Sequence, residues 1–174
     1  IWGSWRDYEG ITGHDYRILE KCTENIKKEL NHYGRSNDRY GLIHADLHFY
    51  NVISYEGNDQ IIDFDDCGYG FYMYDMGCAL VTYSKNLCEL EEAWIRGYEK
   101  VRRLSDEDKR LIPMFVLIRR ITRLAWLSGH ADSDTAKTVE PEYLKVTVDI
   151  AREWLETNTK VAVITGAASG IGYG

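Results

Sequence analysis

His44, Asp46, Asn51 and Asp63 stand at orderly intervals in GLIHADLHFYNVISYEGNDQIIDFDD, residues 41–66. NVISY and QIIDF read as strands, and EGND between them has the residues of a turn. With Gly57 near the centre of that turn, Asn51 and Asp63 are each six residues away. The two are then expected opposite each other at the open end of a hairpin. Asp46 falls on the loop leading into the first strand. An acid, an amide and a second acid thus converge at one end of a rigid ribbon. Hard oxygen donors of this kind suit Mg²⁺, which is usually held by one or two protein oxygens together with substrate phosphates. The remaining acid, Asp46, is free to orient or deprotonate an attacking hydroxyl. Neutralised charge and a positioned nucleophile are the two requirements of phosphoryl transfer.

The flanking elements must hold that ribbon. Residues 15–30 place Ile18, Leu19, Cys22, Ile26 and Leu30 on one stripe with charges opposite, an amphipathic helix. HYGRSNDR is a loop by composition, and YGLIHA reads as a short strand. After a GYG break the pattern turns helical through YDMGCALVTYSK and CELEEAWIRGYEKVRRL. Ser105 with Asp108 forms a capping box opening the next helix, which Pro113 should kink or split. ADSDTAKT reads as a loop, and Pro141 sits near the first turn of a last helix running to about Glu156. The expected class is α+β with helices dominating and a short catalytic hairpin.

Bulk properties narrow the partners. The chain has 174 residues, a net charge of −7 and 44% hydrophobic residues, so one cored domain, or one domain plus a fragment, is expected. The acidic balance argues against nucleic acid or an anionic membrane as partner and is compatible with a cationic small molecule. No run is long enough to span a bilayer. Cys22, Cys67, Cys78 and Cys88 show neither a CxxC pair nor zinc spacing, and read as reduced, mostly buried thiols of a cytoplasmic protein.

H-A-D-L-H-F-Y-N followed by I-I-D-F-D-D resembles the catalytic core of the aminoglycoside phosphotransferase and choline kinase superfamily, small-molecule kinases with a protein-kinase-like fold. The resemblance covers roughly residues 1–157 and implies the larger, helical C-terminal lobe of that fold. It implies Asp46 as catalytic base, and Asn51 and Asp63 as Mg²⁺ ligands that hold the phosphates of ATP. It gives His44 and Asp75 supporting roles, His44 bracing the loop and Asp75 holding it from the following helix. Ala45 replaces the usual Gly, and Phe49-Tyr50 replaces a common Pro-Gly on the acceptor side. Asp65 and Asp66 are secondary candidates for a metal or a cationic substrate. Trp126 is flagged because the family places its acceptor pocket among the late helices.

Two features bear on the chain's extent. No Gly-rich nucleotide loop and no V-A-I-K-like strand precede residue 41, so the chain is expected to lack the ATP-covering lobe and to be inactive alone. Its last residues, KVAVITGAASGIGYG, resemble the first strand and Gly-rich turn of a short-chain dehydrogenase, with Gly166, Gly170 and Gly172 as the phosphate-approach glycines. The resemblance implies a tail at 158–174 that is like the start of a dinucleotide-binding domain but incomplete, with no full βαβ unit and no Tyr-x-x-x-Lys pair. Both ends are expected to favour self-association into a homo-oligomer, through an uncovered face and an unpaired strand. The readings in competition are an ATP-dependent small-molecule phosphotransferase, a non-catalytic kinase-like binding module, and the N-terminal neighbour of a dehydrogenase.

Overall fold

The computed structural model describes residues 3–81, 87–139 and 142–169. In chain order these form α1 (Gly13–Tyr33), β1 (Tyr40–Ile43), β2 (Val52–Tyr55), β3 (Asn58–Ile61), β4 (Gly68–Phe71), α2 (Tyr72–Leu80), α3 (Leu87–Tyr98), α4 (Asp106–Arg110), α5 (Ile112–Gly129), α6 (Asp134–Lys137) and α7 (Tyr143–Ser169). The class is the expected α+β with helices dominating. The chain divides into two compact units, one of residues 29–122 and one of residues 1–28 with 123–174.

The 29–122 unit carries all four strands as two antiparallel pairs, β1 with β4 and β2 with β3. The β2–β3 turn is a two-residue loop. Glu56 and Gly57 both have positive φ, 49° and 79°, which is the requirement of a type I′ hairpin and matches the right-handed strand twist. That turn corrects the expected register. Its centre lies between Glu56 and Gly57, so Tyr55 pairs with Asn58 and Val52 with Ile61. Asn51 therefore faces Ile62, whose N–H donates to the Asn51 carbonyl at 3.0 Å. Asp63 sits one residue beyond the pairing.

The GYG break is also corrected, because Gly68–Phe71 is β4 and pairs with β1 along its whole length. Glycines read as strand breakers, but here they make room across the ladder. A Cβ on Gly41 would meet the Tyr72 Oη at 2.2 Å, and one on Gly70 would meet the Ile43 Cδ1 at 2.3 Å. Behind this ladder, the Phe115 ring lies 6.0 Å from both Tyr33 and Phe71. Gly77 lets the α2 backbone approach α5, since a Cβ there would lie 2.5 Å from the Phe115 carbonyl oxygen. The Ser105–Asp108 capping box is present, with the Ser105 N–H donating to Asp108 Oδ2 at 2.7 Å. Pro113 splits the helical run as expected, α4 ending at Arg110 and α5 starting at Ile112.

In the other unit, α1 opens with a reciprocal cap that the sequence reading passed over. Thr12 N–H donates to Asp15 Oδ2 at 3.2 Å, and Asp15 N–H to Thr12 Oγ1 at 3.3 Å. Trp5, Leu19, Cys22, Leu124 and Leu155 are buried core residues. The ADSDTAKT loop contains the one-turn helix α6, capped by the Ser133 side chain. The strand expected at VAVIT is corrected, because α7 continues through it to Ser169. A lone strand leaves its N–H and C=O groups without partners, whereas a helix pairs them internally. Gly166 lies in the last turn, where a glycine costs less than the roughly 1 kcal/mol of a mid-helix position. Pro141, Gly170 and Gly172 lie outside the described residues.

Of the cysteines, Cys22 and Cys78 are buried and Cys67 and Cys88 are exposed, so the expectation of mostly buried thiols holds for two of the four. Among the described residues, no helix is long and apolar enough to cross a membrane.

Candidate functional site

The loop between β1 and β2 presents Asp46, and its shape is set from beneath by α2. The two Asp75 carboxylate oxygens each accept one backbone N–H, from His44 at 2.9 Å and from Ala45 at 2.8 Å. Burial pushes the Asp75 carboxyl above its ordinary range, and these two donors oppose that shift by favouring the ionised form. Ala45 sits in the left-handed region, with φ 66°, where glycine is at ease and alanine is strained. Its carbonyl accepts the Cys78 thiol at 3.3 Å. Burial pushes the Cys78 thiol up to about 12, so it remains protonated and able to donate.

His44 is buried and ties both motifs together. Its Nδ1 accepts the Asp46 N–H at 3.3 Å, and its Nε2 lies 2.9 Å from the Ile62 carbonyl oxygen. An Nδ1 that accepts carries no proton, so the imidazole is the neutral tautomer with Nε2–H donating to Ile62. One side chain thus fixes the Asp46 loop to the residue before Asp63. The His44 ring also packs on Phe64, 4.7 Å between centroids.

Asn51 is buried at the end of a 3₁₀ turn, Phe49–Asn51. Its Nδ2 donates to the Asp46 carbonyl at 3.0 Å and approaches Asp46 Oδ2 at 3.5 Å. Both contacts use the amide nitrogen, which leaves Oδ1 as the atom suited to a cation. Asp63 is exposed and, like Ala45, has a positive φ of 65°. Backbone strain of this kind collects at ligand sites, where surrounding bonds hold it. Asp65 and Asp66 are exposed beyond it.

Among the described residues, no three His, Cys, Asp or Glu side chains converge on one point. A closed, all-protein metal cage is therefore not what these residues form. The Asn51 side-chain Oδ1 and the exposed Asp63 carboxylate are hard oxygen donors, the kind a cation takes together with phosphates and water.

Sequence reasoning missed Arg119. Its guanidinium, on α5, donates through Nη2 to Asp46 Oδ1, with its side chain 10% exposed and that of Asp46 22%. The signal was present in IPMFVLIRRITRLAWL, where two adjacent arginines interrupt an apolar helix. A charge in such a run must find a partner. His48 places Nε2 3.4 Å from Asp46 Oδ2. Trp126 belongs to the other unit, where its ring stacks on His130 at 4.5 Å.

Comparison with known proteins gives a consistent picture. The family model for phosphotransferase enzymes matches residues 5–110. An amicoumacin kinase of Bacillus subtilis (strain 168) is 30% identical over 132 residues, covering 70% of this chain and 39% of that protein. A homoserine kinase of Neisseria meningitidis serogroup B is 38% identical over 79 residues, covering 42% of this chain and 26% of that protein. The structure of a microcompartment-associated aminopropanol kinase superposes with a TM-score of 0.69 at 36% identity, covering 87% of this chain and 46% of that one. An amicoumacin kinase in complex with AMP-PNP, Ca²⁺ and its ligand superposes with a TM-score of 0.62 at 24% identity, covering 87% of this chain and 49% of that one, a likeness of fold. The chain spans less than half the length of each of these relatives.

Proposed function

Because this chain belongs to the phosphotransferase enzyme family, we propose that it carries the catalytic and metal-holding residues of an ATP-dependent kinase acting on a small-molecule hydroxyl. One observation carries the reading: the two motifs meet. The Ile62 N–H donates to the Asn51 carbonyl at 3.0 Å, and His44 holds the Ile62 carbonyl at 2.9 Å. The acid and amide of the first motif and the acid of the second therefore share one end of the hairpin.

In this reading Asp46 receives the acceptor hydroxyl, orients it, and takes its proton as the oxygen bonds to the γ-phosphorus of ATP and the bond from that phosphorus to the ADP oxygen breaks, ADP leaving. Asn51 and Asp63 hold the divalent cation. When bound, that ion supplies neutralisation of phosphate charge. His44 and Asp75 act through backbone groups to fix where Asp46 stands. None of these five residues belongs to the tail from 158 onward, which we keep apart from the 1–157 kinase-like lobe. The similar proteins named for aminopropanol and homoserine make amino-bearing alcohols the first acceptors to test. The net charge of −7 is compatible with a cationic acceptor.

The test is to incubate full-length protein with Mg²⁺, ATP and single acceptors drawn from amino alcohols, homoserine and aminoglycosides. ADP release and ³¹P spectra of the product are then followed. ADP that depends on the acceptor, with a new phosphate-ester resonance, is the expected result. Nucleotide binding without ADP formation for any acceptor would favour the rival, a non-catalytic binding module.

A further inference from the structure

Arg119 stands out because stability alone does not explain it. A buried ion pair is often replaceable by apolar residues of similar volume at no cost, since desolvation offsets the attraction. Here the cost is higher still. The Arg119 Nε is buried and, among the described residues, has no hydrogen-bond partner. The Tyr74 side chain contacts the guanidinium. Thr122 Oγ1 donates to the Arg119 carbonyl at 2.9 Å, and with that proton engaged, the Tyr74 hydroxyl 3.0 Å away must donate to Thr122.

The two Asp46 oxygens differ in what they touch. Oδ1 takes the charged donor from Arg119. Among the described residues, Oδ2 has only long approaches, from His48 Nε2 at 3.4 Å and Asn51 Nδ2 at 3.5 Å. Both lie beyond the 2.7–3.2 Å of ordinary N–H···O bonds. We infer that Arg119 is a positioning residue, which clamps Oδ1 of Asp46 so that Oδ2 alone is presented to the acceptor hydroxyl. The inference rests on the kinase reading for the identity of the incoming group, but the clamp itself is a property of the pair. Guanidinium suits the task better than ammonium, because it stays charged when buried and holds its donors in one rigid plane, whereas an ammonium sits on a flexible stem and rotates.

Two measurements on full-length protein test this. The first compares crystal structures of wild type, Arg119→Met and Arg119→Lys. With the clamp gone in Arg119→Met, the Asp46 carboxylate should rotate away from its wild-type orientation. Arg119→Lys should retain it in part. An unchanged carboxylate in Arg119→Met would overturn the clamp, whatever reaction the protein catalyses. Should Arg119→Met fail to fold, Arg119→Gln serves the same comparison. The second measurement is steady-state turnover with the acceptor found active. Misplacing a reacting group by about 1 Å can cost about 10²-fold. kcat should fall by about that factor in Arg119→Met, with the nucleotide KM within threefold of wild type and partial recovery in Arg119→Lys. A rise in nucleotide KM with kcat preserved would assign Arg119 to general folding and sink the inference. If wild type transfers phosphate to no acceptor, the kinase reading fails, and the crystallographic comparison still decides the clamp.

Discussion

His44, Asp46 and Asn51 engage their polar atoms with protein partners, whereas Asp63, Asp65 and Asp66 are exposed and their segment is held through the backbone of Ile62. The first region is a clamp of side chains around a strained turn at Ala45. The second is a strand end whose acids remain available. In the kinase reading proposed above, the difference suits what each would do. A group that must meet a hydroxyl in one orientation gains from being fixed in advance. Acids that take up a hydrated cation need reach and open coordination positions.

The largest expected effect comes from the clamped side. Asp46→Asn keeps the volume and removes the proton acceptor, so kcat of the full-length protein should drop by about 10²–10⁴-fold. Stopped-flow ADP detection measures it, and a kcat within threefold of wild type would remove Asp46 from that role. Next is Asp75→Ala, which strips two donors of a charged acceptor. Hydrogen bonds to charged groups contribute about 1.5–3 kcal/mol each, and removing a buried carboxylate returns part of that. A net loss of about 2–3 kcal/mol in urea unfolding is expected; a loss under about 0.5 kcal/mol would show that the loop holds its own shape.

The exposed side should respond in the opposite manner. Asp63→Asn keeps a residue tolerant of the left-handed backbone, so stability should stay within about 0.5 kcal/mol, as for surface substitutions generally. Mn²⁺-ATP binding, followed by calorimetry, should weaken by tenfold or more. Equal affinity in both proteins would exclude Asp63 as a ligand. The smallest effect is expected at Ala45→Gly. Relief of the left-handed strain, about 1–2 kcal/mol, is offset by the added freedom of glycine in the unfolded chain, about 0.4–1 kcal/mol. A stabilisation of about 1 kcal/mol or less should appear as a small rise in Tm, and a fall in Tm would mean that the Ala45 methyl contributes packing.

Much of the local structure was legible because its cause is local. The Ser105–Asp108 cap, the break at Pro113, the amphipathic stripe of α1 and the hairpin around Gly57 each depend on residues within a few positions of one another. The Asp46, Asn51 and Asp63 spacing pointed to one end of that hairpin for the same reason. Register was harder, since moving the turn centre by half a residue shifts the partner of Asn51 from Asp63 to Ile62. The β1–β4 ladder was read as a break because its glycines matter only through Tyr72 and Ile43, side chains brought across by the fold. The α7 extension through VAVIT shows a β-branched run taking helical form in the absence of a partner strand.

The sequence by itself determined which atoms are available for chemistry: two carboxylates, an amide and an imidazole at fixed separations along a short ribbon. Tertiary structure decided how they are oriented. Asp75 reaches the Asp46 loop across 30 positions and Arg119 reaches Asp46 across 73, separations at which no spacing rule operates. The physical reason is burial. Only inside a packed unit does a charge have to be paired, and only the packing of α2 and α5 decides which partner stands close enough to pair with it.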